Sequence, residues 1–95
     1  MVYERAELSI APGQEETSQA AMHSGGLDLL AGAVGCHPVV LARGVEPSSS
    51  LLPVQWDEFD SHIKVTETPE FGCLREIAGP FLGGAPTVGH FAPTA

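Results

Sequence analysis

The sequence has few basic residues, and this shortage excludes several classes of partner. Four Lys and Arg residues stand against 12 Asp and Glu residues in a chain of 95, which gives a formal net charge of −8. Phosphate-binding surfaces need clustered cations, whereas Arg5, Arg43, Lys64 and Arg75 are far apart along the chain. We therefore expect neither a nucleic acid nor an anionic membrane surface as a partner.

A leader pattern, a long apolar run and a cysteine motif are also missing from the sequence. Residues Met1–Arg5 do not show the basic and then apolar stretches of a signal peptide. The most apolar region, Leu27–Ala42, is interrupted by polar residues and Pro38, so we do not expect it to span a membrane. Cys36 and Cys73 form no C-x-x-C motif and are interpreted as reduced thiols. These features predict a cytoplasmic protein.

The apolar content is sufficient for a small globular fold. Hydrophobic residues make up 43% of the chain and charged residues 17%, which is not the composition of a disordered protein. A chain of 95 residues has room for one domain, so residues 1–95 are predicted to form a single domain with a thin core. The 11 glycines and 8 prolines predict that this domain is rich in loops.

Hydrophobic periodicity predicts the order strand, helix, strand, strand, helix, strand. Alternation predicts a first strand over Glu4–Ile10, and helical spacing predicts a helix from Gln14 to Gly35. The Gly25-Gly26 pair inside this helix predicts either a kink or the close approach of another backbone. The other strands are predicted over Pro38–Val45, Leu51–Trp56 and Thr87–Phe91, and two further helical segments are predicted to be capped by Asp57 and Thr68. Because Pro53 lacks a ladder donor, it predicts an edge position or a bulge.

This order is typical of an α+β ferredoxin-like fold, βαββαβ, with a four-stranded antiparallel sheet and its helices on one face. The helices can cover only one face of such a sheet. A second copy of the chain is the simplest cover for the other face, so the pattern predicts a homodimer that associates through the sheet.

Several short motifs, taken in order, resemble the antibiotic biosynthesis monooxygenase (ABM) family of dimeric α/β-barrel proteins. They are Pro12-Gly13 after the first strand, Pro53-x-x-Trp56 followed by His62, Thr68-Pro69-Glu70-Phe71, and the tail that runs from Gly79-Pro80-Phe81-Leu82 through Pro86 to His90-Phe91. The resemblance covers essentially the whole chain. It implies a homodimer whose two sheets pack face to face into a dimeric α/β barrel, with a small pocket in each protomer between the sheet and the helices.

The resemblance also implies a type of chemistry. Characterised members of the family oxidise aromatic polyketides or quinols with dioxygen and without a metal or flavin, and one branch binds and degrades haem. The haem branch uses an Asn, a Trp and an axial His at places that correspond to Ala6, Val65 and Arg75 in this chain. All three residues differ, so haem is not expected, and the resemblance implies no cofactor.

Cofactor-free oxygenation needs a dry pocket and a base with a pKa near neutrality. His62 is the candidate catalytic base, because imidazole titrates in that range and its position matches a helical His of the family. The alternative for His62 is a cap or core hydrogen bond. Trp56 could stack on an aromatic substrate, or could serve as a structural core residue.

Two more side chains are candidate substrate-binding groups. Arg75 shares a helix face with Phe71 and could hold a phenolate or peroxide anion, or could face solvent and pair with Glu70 or Glu76. His90 in the last strand could reach a buried face or the interface of the barrel. No metal site is expected, because no H-x-H, H-x-x-x-H or H-E-x-x-H spacing is present.

The leading hypothesis is a monooxygenase-like protein that oxidises a small aromatic substrate (a quinol, a phenol or a polyketide-like molecule) with dioxygen. The alternative is a non-catalytic dimeric barrel that binds a small ligand or serves assembly. Isomerase or decarboxylase chemistry would need the same histidine. A cavity of a few hundred Å³ that His62 or Arg75 reaches would distinguish an enzyme from a filled, structural barrel.

Overall fold

An antiparallel sheet and a layer of short helices make up the chain in a computed structural model that describes residues 1–46 and 48–94. The elements are β1 (Val2–Ser9), α1 (Glu15–Ala21), a π-helical turn (Met22–Gly26), α2 (Leu27–Ala31), β2 (Ala42–Arg43), β3 (Ser49–Trp56), α3 (Phe59–Val65), α4 (Pro69–Ala78), a 3₁₀ turn (Gly79–Phe81) and β4 (Thr87–Phe91). Within the described residues, no helix combines the length and the apolar character needed to cross a membrane.

The four strands lie in the order β2-β3-β1-β4, and each neighbouring pair is antiparallel. This is the strand order of the ferredoxin-like fold, so the predicted fold class is confirmed. Strand β1 is central, and its pairing with β3 runs from Val2 opposite Trp56 to Ser9 opposite Ser49. On its other side it pairs with β4, which places Glu4 directly opposite His90.

The core lies between one face of the sheet, called here the inner face, and the helices. Alternation along β1 directs Glu4, Ala6 and Leu8 to this face, as the sequence pattern predicts for the latter two. The buried apolar cluster joins all layers and consists of Ala6, Met22, Leu30, Leu52, Val54, Trp56, Val65 and Leu74. Full burial of one such aliphatic side chain contributes about 1.5–3 kcal/mol, so this cluster supplies most of what holds the helices to the sheet.

The predicted first helix is interrupted, which confirms the expected kink. Helices α1 and α2 are separated by the π-helical turn, inside which Gly25 leaves helical geometry. A Cβ atom on Gly26 would lie 2.9 Å from the Met22 sulfur and 3.4 Å from a methyl group of Leu74. A side chain at position 26 would therefore displace the flexible Met22 side chain, whereas Leu74 of α4 would be in ordinary contact with it.

The second strand is much shorter than the predicted span Pro38–Val45, because only Ala42–Arg43 pair with β3. The earlier part of the segment still follows β3. The His37 backbone N–H donates to the Gln55 carbonyl oxygen at 2.9 Å, but Pro38 then has no N–H with which to continue a ladder. Since the β2 pairing does not reach Pro53, this proline lies where β3 is locally an edge, as expected.

One of the two predicted helix caps is present. The Thr68 hydroxyl accepts a hydrogen bond from the Phe71 N–H at 3.3 Å at the start of α4, which confirms the prediction. The prediction for Asp57 is wrong. Helix α3 begins after Glu58, one residue later than predicted, and the Glu58 side chain makes no capping hydrogen bond. The Asp57 carboxylate instead binds the His37 ring at 2.7 Å.

Candidate functional site

A cavity of about 520 Å³ opens between the inner face of the sheet and helix α4. Most of its lining is aliphatic, with Ala6, Leu52 and Val88 from the sheet and Leu74 from α4. Polar atoms enter it from few places, among them Glu4, His62 and Arg75. An apolar cavity of this size with a few converging polar groups is typical of a small-molecule site.

Glu4 is a buried carboxylate at one end of this cavity. It is 8% exposed, because it lies on the same face of β1 as Ala6, two positions away. Its Oε1 atom accepts a hydrogen bond of 2.9 Å from the Trp56 indole N–H, and Trp56 itself is completely buried. A carboxylate without such a donor would be costly at this depth, so the tryptophan fixes and stabilises Glu4.

His62 lies on α3 in the middle of a polar cluster. Its ring stacks on that of Trp56, with 5.1 Å between the centroids and 20° between the planes. The Nδ1 atom is 2.7 Å from Nε2 of His90, a hydrogen-bond distance. The Nε2 atom is 3.5 Å from Glu4 Oε1, which is longer than an ordinary hydrogen bond. His62 therefore bridges a carboxylate and a second imidazole.

Three effects act on the pKa of His62, and together they lower it. Burial is the largest, because it disfavours the charged imidazolium. The Glu4 carboxylate opposes this by raising the pKa, and His90 lowers it further. The outcome is a neutral imidazole at physiological pH, which is the protonation state that a general base requires.

His90 continues the cluster towards the surface. It is half-buried, and the edge of the Phe59 ring meets it at a centroid distance of 4.8 Å and an angle of 76°. His90 does not line the cavity, and neither does Trp56. Both residues lie behind Glu4 and His62, where they hold the two groups that face the cavity.

Arg75 reaches the cavity from α4 although its side chain is exposed. Its guanidinium group lies over the Phe71 ring, 4.8 Å from the centroid, where a cation–π contact holds it. The sequence analysis suggested Glu70 or Glu76 as the partner of a solvent-facing Arg75, whereas the structure places its guanidinium group on Phe71. The guanidinium donors remain available for an anion in the cavity.

The structure brings together three of the four candidate residues named from the sequence, namely Trp56, His62 and His90. Arg75 lines the same cavity without joining that cluster. The sequence reasoning missed Glu4. The available signal was its position two residues before Ala6 on the predicted inward face of the first strand, where a charged residue is unusual.

The cluster also contains donor atoms that suit a metal ion. One oxygen of Glu4 and one nitrogen each of His62 and His90 lie within 4.8 Å of one another. Imidazole nitrogen and carboxylate oxygen are the common protein ligands of zinc and related transition metals. No spacing motif could show this set, because its members come from β1, α3 and β4.

A second, larger depression of about 710 Å³ lies elsewhere, between α2 and α3. Its lining includes the carboxylates of Asp28, Glu58 and Glu70, together with Val34, which is 91% exposed. None of the candidate residues reaches this depression. We place the functional site in the smaller cavity, because the buried polar groups Glu4 and His62 converge there on a mostly aliphatic lining.

Comparisons with known proteins were made for the sequence and for the fold. No family model and no curated protein matches the chain. Among solved structures, a protein of Bordetella bronchiseptica provisionally named an antibiotic biosynthesis monooxygenase has a TM-score of 0.91 and 28% sequence identity, with 99% of this chain and 97% of that chain covered. A protein of the same provisional name from Caulobacter crescentus has a TM-score of 0.83 at 18% identity, with 99% and 90% covered.

A third solved structure, Rv0793 from Mycobacterium tuberculosis, has a TM-score of 0.81 and 16% identity, with 99% of this chain and 95% of that chain covered. Each match spans nearly the full length of both chains, so the likeness concerns the complete fold. The resemblance seen in the sequence motifs is confirmed: the chain has the fold of the antibiotic biosynthesis monooxygenase family.

Proposed function

We propose that the protein is a cofactor-independent monooxygenase that oxidises a small aromatic substrate, such as a quinol, a phenol or a polyketide-like molecule, with dioxygen. The observation that carries this proposal is the apolar cavity of about 520 Å³ into which His62 and Arg75 both reach. A filled interior would have favoured a structural barrel. The mostly aliphatic walls of the cavity would contact an aromatic ring, and a base and a cation would both reach it.

In this proposal His62 acts as the general base. It takes a proton from a phenolic or activated C–H group of the substrate, and the resulting anion is electron-rich enough to reduce dioxygen. For a hydroxylated anthrone, a C–O bond forms at the CH₂ carbon, which becomes a carbonyl, and the second oxygen atom leaves as water. The substrate supplies all the electrons, so the reaction needs no external reductant.

The other polar residues support this step. Glu4, 3.5 Å from His62 Nε2, stabilises the imidazolium that forms when His62 accepts the proton. Arg75 would bind the phenolate or the peroxide anion, with its guanidinium held in place by Phe71. Trp56 and His90, which lie outside the cavity lining, act by positioning His62 rather than by touching the ring of a substrate bound in the cavity.

The proposal includes a homodimer formed through the outer face of the sheet, which is the face away from the helices. Tyr3 and Phe91 are paired neighbours on this face and are 43% and 58% exposed in the single chain. Exposed aromatic residues on an uncovered sheet are typical of an interface. The substitution Tyr3→Asp should convert a dimer into a monomer in light scattering after size-exclusion chromatography, whereas Gln19→Asp on the exposed surface of α1, in the helical layer, should not.

The test of the oxygenase is oxygen consumption by metal-free protein with a panel of quinols and hydroxylated anthrones. We expect protein-dependent uptake that falls at least about tenfold in His62→Ala, because general-base catalysis typically contributes about 10²–10⁴-fold. His37→Ala is the matched control, since His37 is exposed and pairs with Asp57 outside the cavity. Uptake that survives His62→Ala would remove this residue from the mechanism.

Absence of uptake with every substrate would favour the second candidate, a non-catalytic barrel that binds a small ligand. The same cavity supports that function, because its mostly aliphatic lining can bind an aromatic molecule without any reaction. Binding of the panel compounds, followed by quenching of Trp56 fluorescence, would then remain in the His62→Ala variant.

A further inference from the structure

We propose that Glu4, His62 and His90 form a binding site for one divalent first-row transition-metal ion, of which Zn²⁺ is the representative case. The site goes beyond the proposed oxygenase and does not depend on it. One oxygen and two imidazole nitrogens, each from a different side chain, lie within 4.8 Å of one another. Three protein ligands of these kinds are the usual number in a metal site that keeps a coordination position open.

One of the distances in this cluster matches the distance that a bound ion would impose. Two ligand atoms on one zinc ion, each at about 2.0–2.2 Å from it, lie roughly 3.3–3.5 Å apart in a tetrahedral site. His62 Nε2 and Glu4 Oε1 are 3.5 Å apart. His62 Nδ1 and His90 Nε2, at 2.7 Å, are closer than that and now share a hydrogen bond.

Binding requires one local movement. His62 faces Glu4 with one ring nitrogen and His90 with the other, and a single ion can take only one of them. The proposal requires that the His62 or His90 ring rotate so that three donor atoms surround one point. His90 is the freer of the two, because it is only half-buried whereas His62 is 8% exposed and stacked on Trp56.

The surroundings have two further properties of metal sites. The Trp56 indole N–H donates to Glu4 Oε1 at 2.9 Å and orients the carboxylate, as outer hydrogen-bonding partners of metal ligands do. Glu4 and His62 also line the cavity of about 520 Å³, so an open coordination position would face the space where a small molecule can enter.

The donor set selects the class of ion. Two imidazoles and a single carboxylate suit zinc, copper, iron, cobalt or nickel, whereas Mg²⁺ and Ca²⁺ prefer sites made of oxygen ligands. We therefore expect Zn²⁺ and Co²⁺ to bind and Mg²⁺ at the same concentration to leave the site unchanged.

The test is calorimetric titration of chelator-treated protein with Zn²⁺. We expect one ion per chain, and a loss of affinity of at least about 100-fold in both Glu4→Gln and His90→Asn. Trp56→Phe, which removes the hydrogen bond to Glu4 together with part of the ring that stacks on His62, should weaken binding by about 10–100-fold. His37→Asn and His23→Asn are the controls, because they remove the exposed histidines outside the cluster. Unchanged affinity in Glu4→Gln and His90→Asn, or a loss in His37→Asn, would overturn the proposal.

A measurement on the unaltered chain decides the question if a variant fails to fold. Zn²⁺ should shift the imidazole ¹⁵N resonances of His62 and His90 and leave those of His23 and His37 in place. Shifts confined to His23 or His37 would refute the site. The absorption spectrum of the Co²⁺-loaded protein should show nitrogen and oxygen ligands; a thiolate charge-transfer band would assign the ion to a cysteine and also refute it.

The outcome is separable from that of the proposed oxygenase. Oxygen uptake by metal-free protein tests the oxygenase alone, and the titration tests the metal site alone. If both are correct, stoichiometric Zn²⁺ inhibits uptake, because it takes the nitrogen lone pair with which His62 accepts a proton. Uptake that instead requires the ion would contradict the cofactor-independent reaction and leave the metal site standing.

Discussion

Two carboxylates on the same strand, Glu4 and Glu7, have opposite surroundings. Glu4 points to the inner face, where it is 8% exposed and accepts a hydrogen bond from Trp56. Glu7 points to the outer face, is 53% exposed and pairs with Arg5 at 2.8 Å. A buried carboxylate loses its hydration and must be compensated by protein groups, whereas an exposed one keeps its water and gains little from a partner.

The contrast shows where the chain places chemically useful groups. An aliphatic residue at position 4 would fill the inner face without any desolvation cost, as Ala6 does two positions later. The carboxylate instead requires a tryptophan donor, and it lies beside two imidazoles. One of these imidazoles, His62, has a pKa that burial lowers, and perturbed ionisable groups are concentrated at functional sites, which supports placing the site at this end of the sheet.

The largest effect on stability is expected at Trp56, which donates the hydrogen bond to the buried Glu4 carboxylate. Trp56→Ala should lower the free energy of unfolding by about 3–5 kcal/mol, because it empties a fully buried position and removes the donor to Glu4. Phe59→Ala is the control, since Phe59 is 48% exposed, and it should cost less than about 1 kcal/mol. Urea denaturation measures both, and similar losses would show that Trp56 does not organise the core.

The thiols of Cys36 and Cys73 allow a second comparison between a half-buried and an exposed ionisable group. Burial, with a further contribution from the Glu4 charge, raises the pKa of the Cys36 thiol from 9.0 to about 11, whereas Cys73 is exposed on α4. At pH 8 such a rise reduces the reactive thiolate about 100-fold, so the Cys73→Ser variant should react far more slowly with a disulfide reagent than Cys36→Ser. Adding Glu4→Gln to Cys73→Ser should accelerate Cys36. Equal rates for the two thiols would contradict the half-buried placement of Cys36.

Local sequence signals predicted much of the fold, because strand alternation and helix capping depend on residues that are close together in the sequence. Strand β4 has the predicted bounds, Thr87–Phe91, and Thr68 caps α4 as its position before Pro69 indicates. The Asp57 side chain could accept a capping hydrogen bond in the same way, but it does not cap α3. His37, twenty positions away, offered the carboxylate a hydrogen-bonding partner, and a competitor of that kind is not visible within a short window of sequence.

The candidate site was harder to predict because it depends on strand register. Glu4 meets His90 only because β1 and β4 pair in a register that sets these two residues opposite each other. A shift of the strand register by one residue would turn His90 to the outer face and separate it from Glu4 and His62. The hydrophobic pattern indicates which face of a strand is buried, so it could place Glu4 inward, but it does not specify which residue lies across from it.

The two carboxylates can be compared directly by truncation. Glu4→Ala should cost about 1–3 kcal/mol of unfolding free energy, because the buried Trp56 indole loses its acceptor. Glu7→Ala should change the same quantity by less than about 0.5 kcal/mol. Chemical denaturation of both variants at equal protein concentration makes the comparison. Equal costs would mean that burial does not distinguish the two faces, and the case for a functional Glu4 would weaken.

The smallest effect on stability is expected for the exposed ion pair between Arg5 and Glu7. Whether this effect depends on dimer formation indicates whether the pair lies in the proposed interface. In the Tyr3→Asp chain, where the proposed dimer is broken, Arg5→Ala should change the unfolding free energy by less than about 0.5 kcal/mol, since Arg5 and Glu7 are 60% and 53% exposed and screened by water. In the parent chain the two sheets would cover this pair, and the loss should grow with protein concentration as the dimer forms. If Arg5→Ala has a small effect on the unfolding free energy at every protein concentration, in both the Tyr3→Asp and the parent chain, Arg5 lies outside any interface. The outer face would then be solvated, unlike the inner face.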